Sequence, residues 1–189
     1  MSDLPDHVRR NRAQWDTWAD DYVATGRANW ARAEPAWGIW AIPESELAMF
    51  PETVAGLDAV ELGCGTAYVS AWLARRGARP VGVDNSARQL ATARELQAEH
   101  GLTFPLIHTS AEATGLSDSS FDLVISEYGA SIWCDPYVWI PEAARLLRPG
   151  GHLVFLVNSP LLMMCVADLA LDPAGTELRR DWFGMYRFE

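Results

Sequence analysis

The chain has 189 residues and a formal net charge of −10, and all fifteen of its cations are arginine. About half of the residues (49%) are apolar, which suits one globular α/β domain and is too much for a disordered chain. The acidic balance repels phosphate backbones, so no nucleic-acid partner is expected.

Arg9, Arg10 and Arg12, beside Trp15 and Trp18, read as a solvated helix face. The odd and irregular set Cys64, Cys134 and Cys165 argues against a disulfide framework or a zinc site, and no metal ligand set is expected. The start of the chain lacks a basic segment followed by an apolar one. The run from Leu161 to Leu171 is too short to span a bilayer and contains Asp168. The expectation is a cytoplasmic protein with no membrane partner.

Residues 1–50 form a leader that holds five of the nine tryptophans: Trp15, Trp18, Trp30, Trp37 and Trp40. Val8, Trp15, Trp18 and Tyr22 recur at helical spacing, so a helix is predicted over 8–23, followed by an irregular stretch from Thr25 to Pro43. The core, residues 51–189, then alternates. Strands are predicted at 58–62, 79–83, 104–108, 121–126 and 152–157. Helices are predicted at 67–76 with Gly77 as its C-terminal stop, at 86–100 with Ser86 and Gln89 as a capping box, at 136–147 with a break at Pro141, and at 161–171. Alternation of this kind makes a mostly parallel, doubly wound, Rossmann-like sheet with right-handed crossovers. Ligands of such sheets bind outside the carboxyl ends of the strands, where Glu61, Asp84, Ser110 and Glu127 fall.

The informative stretch is Glu61-Leu62-Gly63-Cys64-Gly65-Thr66-Ala67-Tyr68, followed by Val83-Asp84. A strand ending in an acid and a Gly-x-Gly turn is built to hold a nucleoside. A dinucleotide fingerprint would carry Gly or Ala where Tyr68 stands, and an acid at Glu61 fits poorly beside pyrophosphate. A ligand with a cationic amine and a sulfonium reverses that sign argument. Asp84, about twenty residues on, is placed to accept both ribose hydroxyls.

With these motifs the chain resembles a class I S-adenosylmethionine-dependent methyltransferase of the small-molecule type, akin to those of ubiquinone and menaquinone biosynthesis. The likeness runs from about Trp15 to Val157 and also draws on Ser110-Ala111-Glu112, Ser120-Phe121-Asp122-Leu123-Val124 and Leu147-Arg148-Pro149-Gly150-Gly151. The resemblance implies a cofactor, S-adenosylmethionine, and a small, apolar or aromatic acceptor. It implies that Glu61 orients the amino end of the cofactor. Gly63, Cys64 and Gly65 would pass beneath its methionine part, and Asp84 would bind the ribose. Asn85 and Gln89 would border the ribose and adenine, while Ser110, Ala111 and Glu112 would meet the adenine edge. Glu127 would face the methionine or acceptor, and Tyr22, with Trp15 or Trp18, would close the site from the leader.

Two departures stand out: Ala67 where the family usually has Gly, and Ser110 where it usually has Asp. Ala67 is mild if its backbone is helical and costly if φ is positive. Plain alternatives are a helix-capping role for Asp84 and a strand-end role for Glu61. No catalytic residue is assigned; Glu127, Asp135 and His108 are candidate bases, and His7, His100 and His152 read as surface or structural. The family's chain continues beyond strand five for a helix and two strands, so the sheet is expected to lack its last strands here. Strand five would then be an open edge suited to a homodimer. Competing functions are a cofactor-binding protein of the same fold without transferase activity and, further off, an NAD(P)-linked oxidoreductase.

Overall fold

In the computed structural model, residues 4–166 and 175–182 are described. The leader begins as one continuous helix, α1 (Asp6–Ala31), longer at both ends than its apolar spacing suggests. Tertiary packing extends it. A Cβ at Gly26 would sit 2.6 Å from Thr66 Oγ1, so the helix lies hard against the core there. Trp30 is fully buried and donates from Nε1 to the Thr66 carbonyl at 2.7 Å.

The stretch after α1 is ordered, contrary to the irregular segment expected. It forms a short antiparallel hairpin of β1 (Ala36–Trp37) and β2 (Ile42–Pro43), followed by α2 (Glu44–Leu47). The Glu44 carboxylate organises this region. It accepts from Trp37 Nε1, from Met49 N at 3.2 Å and from Phe50 N at 2.8 Å.

The core proceeds through β3 (Asp58–Leu62), α3 (Tyr68–Arg75), β4 (Arg79–Asp84), α4 (Ala87–His100) and β5 (Leu106–His108). It continues through β6 (Phe121–Glu127), α5 (Ala130–Trp133), α6 (Pro136–Leu146) and β7 (Leu147–Leu156). The five strands lie in the order β5-β4-β3-β6-β7, and every pairing is parallel. Val60 sits opposite both Val81 and Val124. The chain order reverses beside β3, so the switch point where such sheets bind ligands lies between β3 and β6.

Alternation along β3 sorts the core. Ala59 packs with Trp37, Val69, Trp72 and Leu123 on one face, whereas Val60 and Leu62 pack with Val124, Trp139, Ala143 and Leu146 on the other. Glu61 shares the first face with Ala59. Pro141 lies inside α6 without breaking it. The carbonyl deprived of a partner is that of Tyr137, at 89% the most exposed large hydrophobic among the described residues, so the position is open to solvent.

Among the described residues β7 is an edge strand of this sheet. Residues 157–189 make up a second unit. Within it Ser159 caps α7 (Pro160–Met164), and the Met164 carbonyl accepts from Arg179 N at 2.7 Å. The helix expected at 161–171 ends at Met164, and residues 167–171 lie outside the described ones. Among the described residues no helix is long and apolar enough to cross a membrane.

Candidate active site

The turn after β3 is held by backbone. Gly63 N and Cys64 N both donate to the Val83 carbonyl at 2.9 Å, and Gly65 N donates to Asp84 Oδ2 at 2.7 Å. Gly63 has φ +74°, and a Cβ there would stand 2.4 Å from Ala130 N. Its counterpart is Gly129, where a Cβ would stand 2.2 Å from the Gly63 carbonyl oxygen. The turn after β3 and the turn after β6 therefore touch backbone to backbone, an approach only glycine permits. Nothing in the sequence marks Gly129 for this role, because its partner is 66 positions away.

Ala67 is in the left-handed region, with φ +58° and ψ +35°, and is fully buried. The change from the family's Gly is thus the costly kind. Ala67 is also the N-cap residue of α3 and offers no side-chain acceptor. Glu61 fills that need from β3: its Oε2 accepts from Ser70 N at 2.8 Å and Ser70 Oγ at 2.6 Å. Glu61 is 2% exposed, and burial pushes its carboxyl up to about 8.

Asp84 also bridges two elements. Besides Gly65 it accepts from Ser86 N, through Oδ1, at 2.7 Å. This bond alters the capping box. Ser86 Oγ does accept from Gln89 N at 3.1 Å, but the reciprocal partner of Ser86 N is Asp84 and not Gln89. Gln89 is 2% exposed and its Oε1 is buried without a partner among the described residues. That oxygen faces the glycine turn, 3.7 Å from where a Cβ of Gly65 would lie.

Glu127, 9% exposed, closes the β6 side. Its Oε1 accepts from Gly38 N of the hairpin at 2.9 Å, and its Oε2 accepts from the Tyr68 hydroxyl. Burial raises the carboxyls of Asp84 and Glu127 as well, and the charges of Glu127 and Asp84 add to the rise at Glu61. Three carboxyl groups thus converge on the strand ends, and no described arginine pairs with any of them. Among the described residues no cluster of His, Cys, Asp and Glu is arranged to hold a metal ion. Cys64 is buried in the turn and its thiol is pushed well above its ordinary value, mainly by burial, so it is inert.

The first half of α1 crosses this end of the sheet. Asn85 donates to the Val8 carbonyl at 2.9 Å, and its Oδ1 accepts from Arg12 Nε at 2.9 Å. Ser86 Oγ donates to Asp16 at 2.6 Å, and Asn11 Nδ2 donates to the Trp133 carbonyl at 2.7 Å. His7 Nε2 meets both Glu112 oxygens, at 2.8 and 3.0 Å, so His7 is part of the strap and not a simple surface residue. Glu112 also accepts from Asp135 N at 2.8 Å.

Ser110 and Ala111, which precede Glu112, are buried. Trp15 packs edge-on against Trp18, Tyr22 and Trp133, with centroids 5.0–5.6 Å apart. Tyr22 itself remains 44% exposed. The other candidate bases have structural partners: Asp135 caps α6 through Tyr137 N, and His108 bonds the Asn85 carbonyl at 3.0 Å. His100 stacks near Trp30 at 5.4 Å.

Known proteins place this architecture. The sequence profile of the methyltransferase domain matches residues 60–155, just over half of the chain. The ubiquinone biosynthesis O-methyltransferase of Roseobacter denitrificans is 34% identical over 101 residues, which cover 53% of this chain and 41% of that protein. The matched segment therefore spans about two fifths of the length of such relatives. The crystal structure of an S-adenosylmethionine dependent methyltransferase from Mesorhizobium loti superposes with a TM-score of 0.55 at 32% identity, covering 65% of this chain and 55% of that one. The [4+2]-cyclase SpnF superposes with a TM-score of 0.60 at 26% identity over 75% of this chain and 57% of its own. The profile match contains the glycine turn, Asp84 and β6, and by it the chain belongs to the methyltransferase domain family.

Proposed function

We propose that the chain binds S-adenosylmethionine at the carboxyl ends of β3, β4 and β6 and directs transfer of its methyl group to a small molecule. The observation that carries this reading is the buried, unpartnered Gln89 Oε1 facing the Gly65 turn beside Asp84. A buried acceptor without a donor is costly, so the crevice suits a ligand that brings a hydroxyl or amine there. Asp84, one residue from the strap, is the carboxylate for the ribose. No described arginine pairs with the three carboxyl groups, whose values burial raises, so a ligand carrying positive charge would be favoured by drawing them into their ionised form. S-adenosylmethionine supplies an electrophilic methyl on a sulfonium; the chain's part is to align the acceptor and keep water out.

In this reading residues 1–50 are a lid. Its first helix covers the adenosine side through Asn85, Ser110, Ala111 and Glu112, and Trp15, Trp18 and Tyr22 wall the acceptor side. Glu61 acts through its position at the start of α3, while Gly63, Cys64 and Gly65 floor the crevice. Relatives named as ubiquinone biosynthesis O-methyltransferase and as S-adenosylmethionine dependent methyltransferase support both cofactor and reaction class. A cytoplasmic location and a homodimer formed through β7 belong to the same proposal.

The SpnF likeness supports a second reading, a member of this fold whose reaction is not methyl transfer. Calorimetry with S-adenosylmethionine and S-adenosylhomocysteine tests the first half of the proposal, and a radiolabelled methyl assay over phenol, amine and thiol acceptors tests the second. Saturable binding with labelled product is expected. Absence of binding heat for both compounds overturns the cofactor; binding without product across the panel favours the second reading.

A further inference from the structure

The hairpin of the leader is held in two different ways. Its stem is held by packing: Trp37 is fully buried and lies edge-on against Phe50 and Trp72. Its turn, residues 38–41, is closed by a bond from Ala41 N to the Gly38 carbonyl at 3.1 Å and leaves Ile39 and Trp40 exposed. A Cβ at Gly38 would stand 3.3 Å from Tyr128 Oη and 3.6 Å from Leu156 Cδ2, so the turn rests directly on the carboxyl ends of β6 and β7. The polar fastening of that turn is Glu127. Its Oε1 accepts from Gly38 N at 2.9 Å, while its Oε2 accepts from the hydroxyl of Tyr68, the first residue of α3. One buried carboxyl group thus joins the leader hairpin to the helix that begins where the glycine turn ends.

The ionisable groups beside Glu127 are Tyr68, Tyr128 and Glu61, all of them acids. Burial disfavours the charged form of Glu127. A carboxyl group in that setting gains from a nearby cation, and once ionised it accepts stronger hydrogen bonds than it does when neutral. The sulfonium of the methyl donor is such a cation. Its charge is present before transfer and gone afterwards, because the electron pair of the broken S–CH3 bond stays on sulfur.

We propose that Glu127 is a positioning residue that couples the sulfonium charge to the seating of the leader hairpin. The turn is held firmly on the sheet ends while the methyl donor is bound, and loosely once the neutral thioether product remains. The inference rests on the transferase reading and adds to it a means of product release. Coupling of this kind is reciprocal: a cation that seats the hairpin is itself bound more tightly, by the same factor, when the hairpin is seated.

The test uses the full chain saturated in turn with S-adenosylmethionine and with S-adenosylhomocysteine, which lacks the sulfonium charge. Hydrogen exchange of the Gly38 amide is followed by NMR at fixed pH. Gly56 N, which donates to the Gly77 carbonyl at 2.8 Å at the other end of the sheet, is the control. Exchange at Gly38 should be about five- to tenfold slower with S-adenosylmethionine than with S-adenosylhomocysteine, and exchange at Gly56 should be the same with both.

Glu127→Gln keeps an acceptor for Gly38 N without the charge, so the two ligands should give equal Gly38 rates. Calorimetry on that variant should show the preference for S-adenosylmethionine over S-adenosylhomocysteine reduced by a similar factor. Glu127→Ala removes the acceptor and should give fast exchange at Gly38 with either ligand; if Gly56 also becomes fast, the fold is lost and the glutamine variant decides alone. Equal Gly38 rates with the two ligands in the parent chain overturn the coupling, as does a difference that persists in Glu127→Gln. Failure of both ligands to bind the parent chain overturns the transferase reading, and the inference falls with it.

Discussion

The two ends of the central sheet handle carboxylates in opposite ways. At the amino ends, Asp58 accepts from Arg79 Nε at 2.6 Å and from Arg148 at 2.7 Å, and Asp122 accepts from Arg148 at 2.7 Å and from Asp58 N at 2.9 Å. Arg79 holds Asp58 below its ordinary range, and Arg148 does the same for Asp122. These groups are exposed or half-exposed. At the carboxyl ends Glu61, Asp84 and Glu127 are buried and pair with no described arginine, and burial holds all three above their ordinary range. One end uses charge to tie strands together at small net gain, as exposed ion pairs do. The other buries its acids away from any described arginine, and perturbed carboxyls of that kind are what the proposed cofactor site rests on.

The comparison is most sharply tested at two turn glycines. Gly63→Ala drives a Cβ to 2.4 Å from Ala130 N at positive φ. The loss of stability is expected to exceed about 3 kcal/mol by denaturant titration. Gly77→Ala, at the amino-end turn, also has positive φ, but its nearest contact would be an ordinary 3.6 Å. It should cost only about 1 kcal/mol. Equal losses would mean that strain is not concentrated at the ligand end.

pH separates the ends next. Glu61 is protonated in the folded protein up to about pH 8, whereas unfolded it ionises near 4.3. The unfolded state therefore binds fewer protons between those values. Its contribution is complete below the unfolded value and is lost as pH rises towards 8, at up to about 1.4 kcal/mol per unit. Asp58 and Asp122 run the other way. Their folded values are depressed, so their contribution is present above the ordinary carboxylate range and is lost as pH falls below it. Glu61→Gln should flatten the alkaline-side decline and leave the acid limb intact, as read from denaturation midpoints across pH. A variant as pH-sensitive as the parent above pH 5 would assign the decline elsewhere.

A binding contrast follows. Asp84→Asn should weaken S-adenosylmethionine binding roughly ten- to a hundredfold, the scale of a charge-assisted hydrogen-bond pair. Asp58→Asn should leave affinity unchanged by calorimetry and lower stability by about 1 kcal/mol or less. The smallest effect expected is a gain. Ala67→Gly relieves a left-handed φ and should raise stability by about 1 kcal/mol, less the extra freedom glycine gives the unfolded chain. A loss on that substitution would show that the buried methyl outweighs the strain.

Local signals made the sheet legible: apolar runs fixed β3, β4 and β6 within a residue or so, and Ser86 was recognisable as a cap. The backbone of the turn was legible where it depends on the turn itself, as with Gly63 and Gly65, both at positive φ. What remained hidden was set by distant partners. Gln89 has the spacing of a capping box, yet Asp84 outcompetes it for Ser86 N. His7 finds Glu112 across 105 positions. The extent of α1 was obscured because it is held by a few widely spaced buried residues, Val8, Ala19, Gly26 and Trp30, and not by a dense apolar stripe. Ala67 could be named as an anomaly from sequence, but only its dihedral angles decide the sign of its effect.

The anchoring of α1 has a mechanical consequence. Its fulcrum is at Gly26 and Trp30, where packing is tight, and its far end, from His7 to Asp16, is fastened by side-chain hydrogen bonds together with the buried Val8 and the contact of Trp15 with Trp133. His7 lies about 28 Å along the axis from Gly26 at 1.5 Å per residue. A pivot of only about 10° would carry His7 by about 5 Å. A shift of a few tenths of an ångström where Thr66 meets Gly26 is thereby magnified into a displacement the width of a helical turn, and the glycine loop that follows β3 sits at the short end of that lever arm.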